Sequence, residues 1–265
     1  MTEAPAPVQA ARVPLAAWNA ACLAVGGDAG SVPDAAWQQL ADAGLASEPG
    51  VLDERWADLI ARYLATPISL SCVAQYNGLQ YRSSIAIGTA SVCVLERFKL
   101  EQGPDGSWSP TARDADLEVS ATLGDPWLLL RRVIPPLAPL QAPAHQTASH
   151  NAVPVRVDEA LGERIAGIVA ERPDANVADV LRREGDAALQ ELFAADEAGV
   201  AYVLIAATPE RPLVAQAWYA ASQDALFRAT FAADPPFEKV RPGDLAFTFL
   251  WHLLGAQDAL GLTPR

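Results

Sequence analysis

Few residues in this chain have the type and spacing for chemistry. There are 3 His and 3 Cys in 265 residues. His145 and His150 are separated by four residues in a Pro-, Ala- and Gln-rich stretch, and that spacing holds no metal in an irregular segment. His252 sits beside Trp251 in a helical pattern, where a core or capping contact explains it. Asp114, Asp116 and Glu118 alternate along one strand pattern, which places three carboxylates on a wet strand face rather than around an ion. GxSxG, HExxH, HxH and Walker patterns are all missing, and the loop Gly26-Gly27-Asp28-Ala29-Gly30 lacks the Lys of a phosphate-binding loop. Cys22, Cys72 and Cys93 form no CxxC, and an odd count argues for reduced core thiols over a disulfide framework. No catalytic residue, metal site or cofactor is therefore expected.

Bulk properties exclude further classes. The net charge is −13, and basic residues occur at most as pairs such as Arg131-Arg132 and Arg182-Arg183. A nucleic-acid binder needs a basic patch, and an acidic surface repels anionic lipid as well. The apolar run 13–27 follows Glu3 and a single Arg12 and is broken by Trp18-Asn19, so it is not read as a secretion signal. No run approaches the ~18 apolar residues of a membrane-spanning helix. Cytoplasmic placement, with no membrane insertion and no nucleic acid, is the expectation.

The elements that could position a binding surface are clearer. The stretch TPISLSCVAQYNGLQYRSSIAIGTASVCVLERFKL, residues 66–100, reads as three antiparallel strands. Ile68, Leu70, Cys72, Ala74 and Tyr76 alternate with Ser69, Ser71, Val73 and Gln75. Strict alternation marks a sheet with one face buried. Asn77-Gly78 joins the first two strands, because a type I′ turn needs two residues at positive φ. Helices are predicted over 31–43 and 53–65, the second capped by Asp53 and stopped by Pro67. Residues 13–24 fit a short strand and turn or a buried helix equally well. The segment 101–113 reads as a polar loop carrying Trp108, followed by a strand over 116–121 and a helix opened by Asp125-Pro126.

A second half repeats this succession. Helices are predicted over 158–171, 176–184 and 186–195, then strands over 199–207, 213–220, 225–231 and 237–240. Gly243-Asp244 opens a last helix, with Phe247, Leu250, Trp251 and Leu254 at helical spacing. The meander at 66 is answered by the one at 199, and Gly124-Asp125 by Gly243-Asp244. The expected architecture is α+β, a quasi-twofold internal repeat of antiparallel β-meanders with flanking helical bundles. Its parts are a disordered arm 1–12, a first repeat 13–137, a Pro-rich linker 138–155 and a second repeat 156–265, all in one combined domain. The two meanders could join edge to edge or stack face to face.

The pattern resembles the EspG family of actinobacterial type VII (ESX) secretion. The resemblance is carried by Val13-Pro14-Leu15 with Trp18, by LADAGL, LDERWADLIARYLATP and GDPWLLLRRVIPPL, and by VAQAWYAASQDALFRATF and FEKVRPGDLAFTFLWHLL in the second half. It spans about residues 13–254. It implies a cytosolic, non-enzymatic specificity chaperone that binds the apolar helical tip of a PE–PPE heterodimer and needs no cofactor. In that family the partner contacts are attributed to the sheet, an early inter-strand loop and the C-terminal helices. The corresponding loop here is the minimal turn Asn77-Gly78. The residues nominated for partner binding are Tyr76, Asn77, Gly78, Leu79, Trp108, Phe247 and Trp251, in a monomer or homodimer. Two other readings stay open: a small-molecule-binding protein or hydrolase with its site between the halves, and an acidic immunity-type protein.

Overall fold

The computed structural model describes residues 9–103, 108–145, 152–172, 177–194, 198–230 and 236–262. It is a mixed α+β structure built on one large antiparallel sheet. The first half runs β1 (Gln9–Pro14), α1 (Leu15–Leu23), irregular helical turns, α2 (Asp34–Asp42), a small hairpin β2 (Ala46–Glu48) and β3 (Val51–Leu52), and α3 (Glu54–Ala65). Then come β4 (Ile68–Tyr76), β5 (Leu79–Ile87), β6 (Ser91–Gln102), β7 (Trp108–Arg113), β8 (Asp116–Thr122), α4 (Pro126–Val133) and α5 (Ala138–Gln141). The second half runs β9 (Val153–Val155), α6 (Glu159–Glu171), α7 (Val177–Glu184), α8 (Ala187–Ala194), β10 (Ala198–Ala206), β11 (Leu213–Ala221), β12 (Leu226–Ala229), β13 (Phe237–Val240) and α9 (Asp244–Ala259).

Local signals account for most element ends. The Asp53 carboxylate accepts from the Arg55 and Trp56 amides and caps α3, and Asp125 accepts from Trp127 N at the head of α4. Asn77 and Gly78 sit at φ 50° and 70°, the left-handed pair that a two-residue hairpin requires. Gly44, at φ 73°, turns the chain out of α2.

The two meanders join edge to edge. β4 and β10 pair antiparallel from Ala198↔Tyr76 to Ala206↔Ile68, and the sheet order is β1-β8-β6-β5-β4-β10-β11-β12-β13-β9, with β7 on β6. Stacking would have left the β4 and β10 edges unpaired, and nine residues of backbone on each strand satisfy each other instead.

Four sequence expectations change. Residues 1–8 lie outside the described residues, but the arm predicted over 1–12 does not extend past them: Gln9–Pro14 pair with β8 and put Val13 in the core. The ambiguous stretch 13–24 is both of its readings in succession, strand to Pro14 and helix from Leu15. Of the loop predicted over 101–113, residues 101–102 end β6 and residues 108–113 form β7, while 104–107 lie outside the described residues. Every residue of β7 is exposed, so no apolar alternation marked it, and it is held by backbone pairing. The linker of 138–155 contains α5 and the edge strand β9. Gln141 Nε2 donates to the carbonyls of Arg131 and Ile134, which ties the segment to the end of α4. His150 lies outside the described residues.

Candidate functional site

Alternation decides what each face of the central strands presents. On one face Leu70, Cys72, Val200, Tyr202, Leu204 and Tyr219 are buried together beneath α4, α5 and α9. The other face is covered at its two ends. α1–α3 lie over the β6–β8–β1 end, burying Val94 and Val119, and α6–α8 lie over the β12–β13–β9 end, burying Phe227. Between these bundles the outward side chains of β4, β10 and β11 remain open.

That open floor is mostly apolar, with Ser69, Ser71 and Gln216 as its polar positions, where a wet strand face would be polar throughout. Register aligns Val73, Ala201 and Trp218 in one row, Ser71, Val203 and Gln216 in the next, and Ser69, Ile205 and Val214 in a third. Trp218 is 49 % exposed and Val214 57 %. The Trp218 ring stands edge-on to Phe237 with centroids 6.0 Å apart, which holds it at the rim of the second bundle. Where the floor meets α1 and α3, Trp18, Tyr63, Val73, Arg82 and Val94 line a cavity of about 370 Å³. A contiguous apolar patch flanked by helices is a surface for another apolar element.

The buried titratable groups beneath α4 and α9 act structurally. Asp244, fully buried at the start of α9, accepts from Tyr219 Oη at 2.8 Å and from Arg228 Nη1 at 3.2 Å. Arg228 also reaches Glu238 at 2.9 Å, and Thr248 Oγ1 lies 3.0 Å from Tyr219 Oη. Burial holds the Tyr219 phenol well above its ordinary range, so it stays a neutral donor. Burial likewise pushes the Cys72 and Cys93 thiols up to about 12, so both are inert at neutral pH. Glu118 accepts from Arg97 at 2.9 Å and Arg132 at 3.1 Å, so this member of the carboxylate row is an ion-pair partner. No cluster of three or more His, Cys, Asp or Glu side chains is placed to hold a metal ion among the described residues. The seam between the halves is a continuous β4–β10 ladder, not a cleft.

His252 Nδ1 is 2.9 Å from Tyr202 Oη, and partial burial lowers its pKa below the ordinary 6.5. A depressed histidine pKa means the unfolded chain takes up the proton first. Its contribution to stability is therefore complete above about pH 6.5 and is lost as pH falls through the folded value. Denaturation midpoints of wild type and His252→Gln, compared from pH 7.5 to 5, are expected to converge as pH falls. Parallel curves would show that His252 does not titrate with folding.

A solved complex of the type VII secretion chaperone EspG5 of Mycobacterium tuberculosis with a PE25–PPE41 dimer aligns with 97 % of this chain and 98 % of that one, at TM-score 0.50 and 12 % identity. The fold is EspG-like. A second solved structure, an N-terminal dehydratase from the difficidin assembly line, aligns only at TM-score 0.13 with 14 % identity and carries no argument. No protein-family model and no curated protein matches the sequence.

Within this EspG-like fold the seven nominated residues do not share one surface. Tyr76 and Leu79 end β4 and β5 on the helix-covered side, half-buried, with Asn77 and Gly78 exposed at the turn. The Leu100 amide donates to the Gly78 carbonyl at 2.8 Å, so β6 passes the turn and its hairpin with β7 carries the half-exposed Trp108 beyond it. Phe247 and Trp251 are on α9, across the sheet from the open floor, with Trp251 67 % exposed. Val73, Ile205, Val214 and Trp218 escaped nomination. Their signal was present: each is apolar at a position that alternates with the core set, and Trp218-Tyr219 puts one aromatic on each face.

Proposed function

We propose that this chain is a non-enzymatic chaperone or adaptor of type VII secretion, which acts in the cytoplasm by receiving the apolar helical tip of a PE–PPE-type substrate. The observation that carries the reading is the apolar floor formed by Val73, Ile205, Val214 and Trp218 between two helical bundles. An amphipathic helix laid there would remove apolar surface from water on both partners. The EspG-like fold supports the assignment, since the chaperone of similar fold was solved with a PE–PPE dimer. No helix of the described residues is long and apolar enough to cross a membrane.

The reading includes the quasi-twofold repeat. Outward from the seam, β4, β5, β6, β8 and β1 on one side answer β10, β11, β12, β13 and β9 on the other. Each half then supplies one bundle, α1–α3 or α6–α8, to flank the open floor. Duplication thereby makes a symmetric trough with a wall on each side.

The test is capture of purified PE–PPE heterodimers by the full chain. Trp218→Ser is expected to weaken capture at least 30-fold, a loss of about 2 kcal/mol typical of a central aromatic anchor. Trp251→Ser, on the far side of the sheet, is expected to leave capture unchanged, and both variants should melt within a few degrees of wild type. The reverse pattern would move the docking surface to α9. Failure of every PE–PPE pair to bind would overturn the role.

A further inference from the structure

A second concavity lies on the opposite side of the sheet from the open floor. It is a cleft of about 690 Å³, within the range of small-molecule sites. Its floor is the turn end of β4–β6, where Tyr76, Tyr81 and Arg97 emerge from beneath the helices, and register sets Tyr81 directly opposite Arg97. Its wall is the end of α4 with the chain that follows, from Arg131 and Arg132 through Ile134 to Pro136.

The chemistry of this lining is unusual for a chain of net charge −13. Among the described residues, three guanidinium groups line the cleft and no carboxylate does. Asp114, Asp116 and Glu118 line a neighbouring cavity, which Arg97 also lines. Glu118 bridges Arg97 and Arg132, which brings those two guanidiniums within the span of one carboxylate. Arg131 makes no ion pair among the described residues, and its Nε donates to Gln141 Oε1 at 3.0 Å. Arg97 Nε is buried and makes no hydrogen bond. Complementing the α4 C-terminus accounts for Arg131 and Arg132 in its last turn, but not for Arg97 on β6 facing the same space. Around this charge stand two tyrosine rings and the apolar surface of Val133, Ile134 and Pro135.

We propose that this cleft binds a small organic anion consisting of a flat ring that carries a phosphate or carboxylate. The oxyanion would be received by the guanidinium forks of Arg131 and Arg97, whose geometry matches two oxygens at once. The ring would lie against Tyr76 and Tyr81 and the proline wall. The site is independent of the docking face, since no residue is shared and the sheet separates them.

Titration calorimetry of the full chain with phenyl phosphate tests the assignment. Saturable binding at one site is expected, with inorganic phosphate at least tenfold weaker and phenol without measurable binding. Arg131→Gln is expected to weaken phenyl phosphate at least tenfold, and Trp218→Ser to leave it unchanged. Absence of saturable phenyl phosphate binding, equal affinity in Arg131→Gln, or phenol binding as tightly as phenyl phosphate each overturns the proposal. Should Arg131→Gln melt well below wild type, Tyr81→Leu decides. It keeps every guanidinium and is expected to bring phenyl phosphate affinity down toward that of inorganic phosphate, and unchanged affinity there also overturns the site.

Discussion

Asp244→Ala is expected to destabilise the fold by about 2–4 kcal/mol, the cost of breaking a partly buried ion pair and taking an acceptor from the buried Tyr219 hydroxyl. Asp244 is fully buried, and its carboxylate takes the Tyr219 hydroxyl and the Arg228 guanidinium together. It also stands in the first turn of α9, where the positive end of the helix dipole favours an anion. Alanine removes all three interactions and leaves Arg228 with Glu238 alone. Asp244→Asn keeps the shape and the acceptor for Tyr219, so its loss is expected to be less than half as large. Chemical denaturation followed by circular dichroism measures both. A change below about 1 kcal/mol for alanine, the scale of an exposed ion pair, would mean that the network does not anchor α9.

Phe249→Ala is expected to cost a similar amount, about 3–5 kcal/mol, through the cavity it leaves. The reason is position more than size. Phe249 is 1 % exposed, and its ring contacts Trp127 of α4 at 6.0 Å and Tyr202 of β10 at 6.1 Å. α4 belongs to the first half, β10 and α9 to the second, so this side chain sits in a core that neither half owns. Variant and wild type are both expected to unfold in one transition, the variant at lower denaturant, because the shared core couples the halves. Two separated transitions would show instead that each half is its own folding unit.

The two substitutions separate what was legible from what was not. Asp244 was visible in the chain as the start of a helix after Gly243. Its burial and its two partners from β11 and β12 were not visible, because nothing local distinguishes a solvated first-turn aspartate from a buried one. Phe249 was legible neither as a nominated residue nor as a link between halves. The nominated stripe of Phe247 and Trp251 is the outward side of the same helix, and in a helix apolar nearly all round the period cannot say which side is covered. The functional nominations fell away from the open floor for the same reason. Turn and loop positions were favoured, while the open floor lies on strands whose outward residues look like ordinary alternation.

Elements whose signal is local were determined by sequence alone. These are the alternation of β4, β5 and β10, the Asn77-Gly78 turn with both residues at positive φ, and the carboxylate caps of α3 and α4. Each depends on dihedral preferences and side-chain-to-backbone bonds within a few residues. Tertiary structure decided that the meanders join at β4–β10, that residues 9–14 and Val153–Val155 become edge strands, and that one sheet face stays open at its centre. A strand's alternation states which side chains share a face but not which backbone pairs with its edge. Nor does it say whether a helix will land on that face. Those outcomes depend on which distant edges satisfy each other's hydrogen bonds and where the two bundles come to rest, and here the bundles come to rest at the ends, leaving Val73, Ile205, Val214 and Trp218 exposed between them.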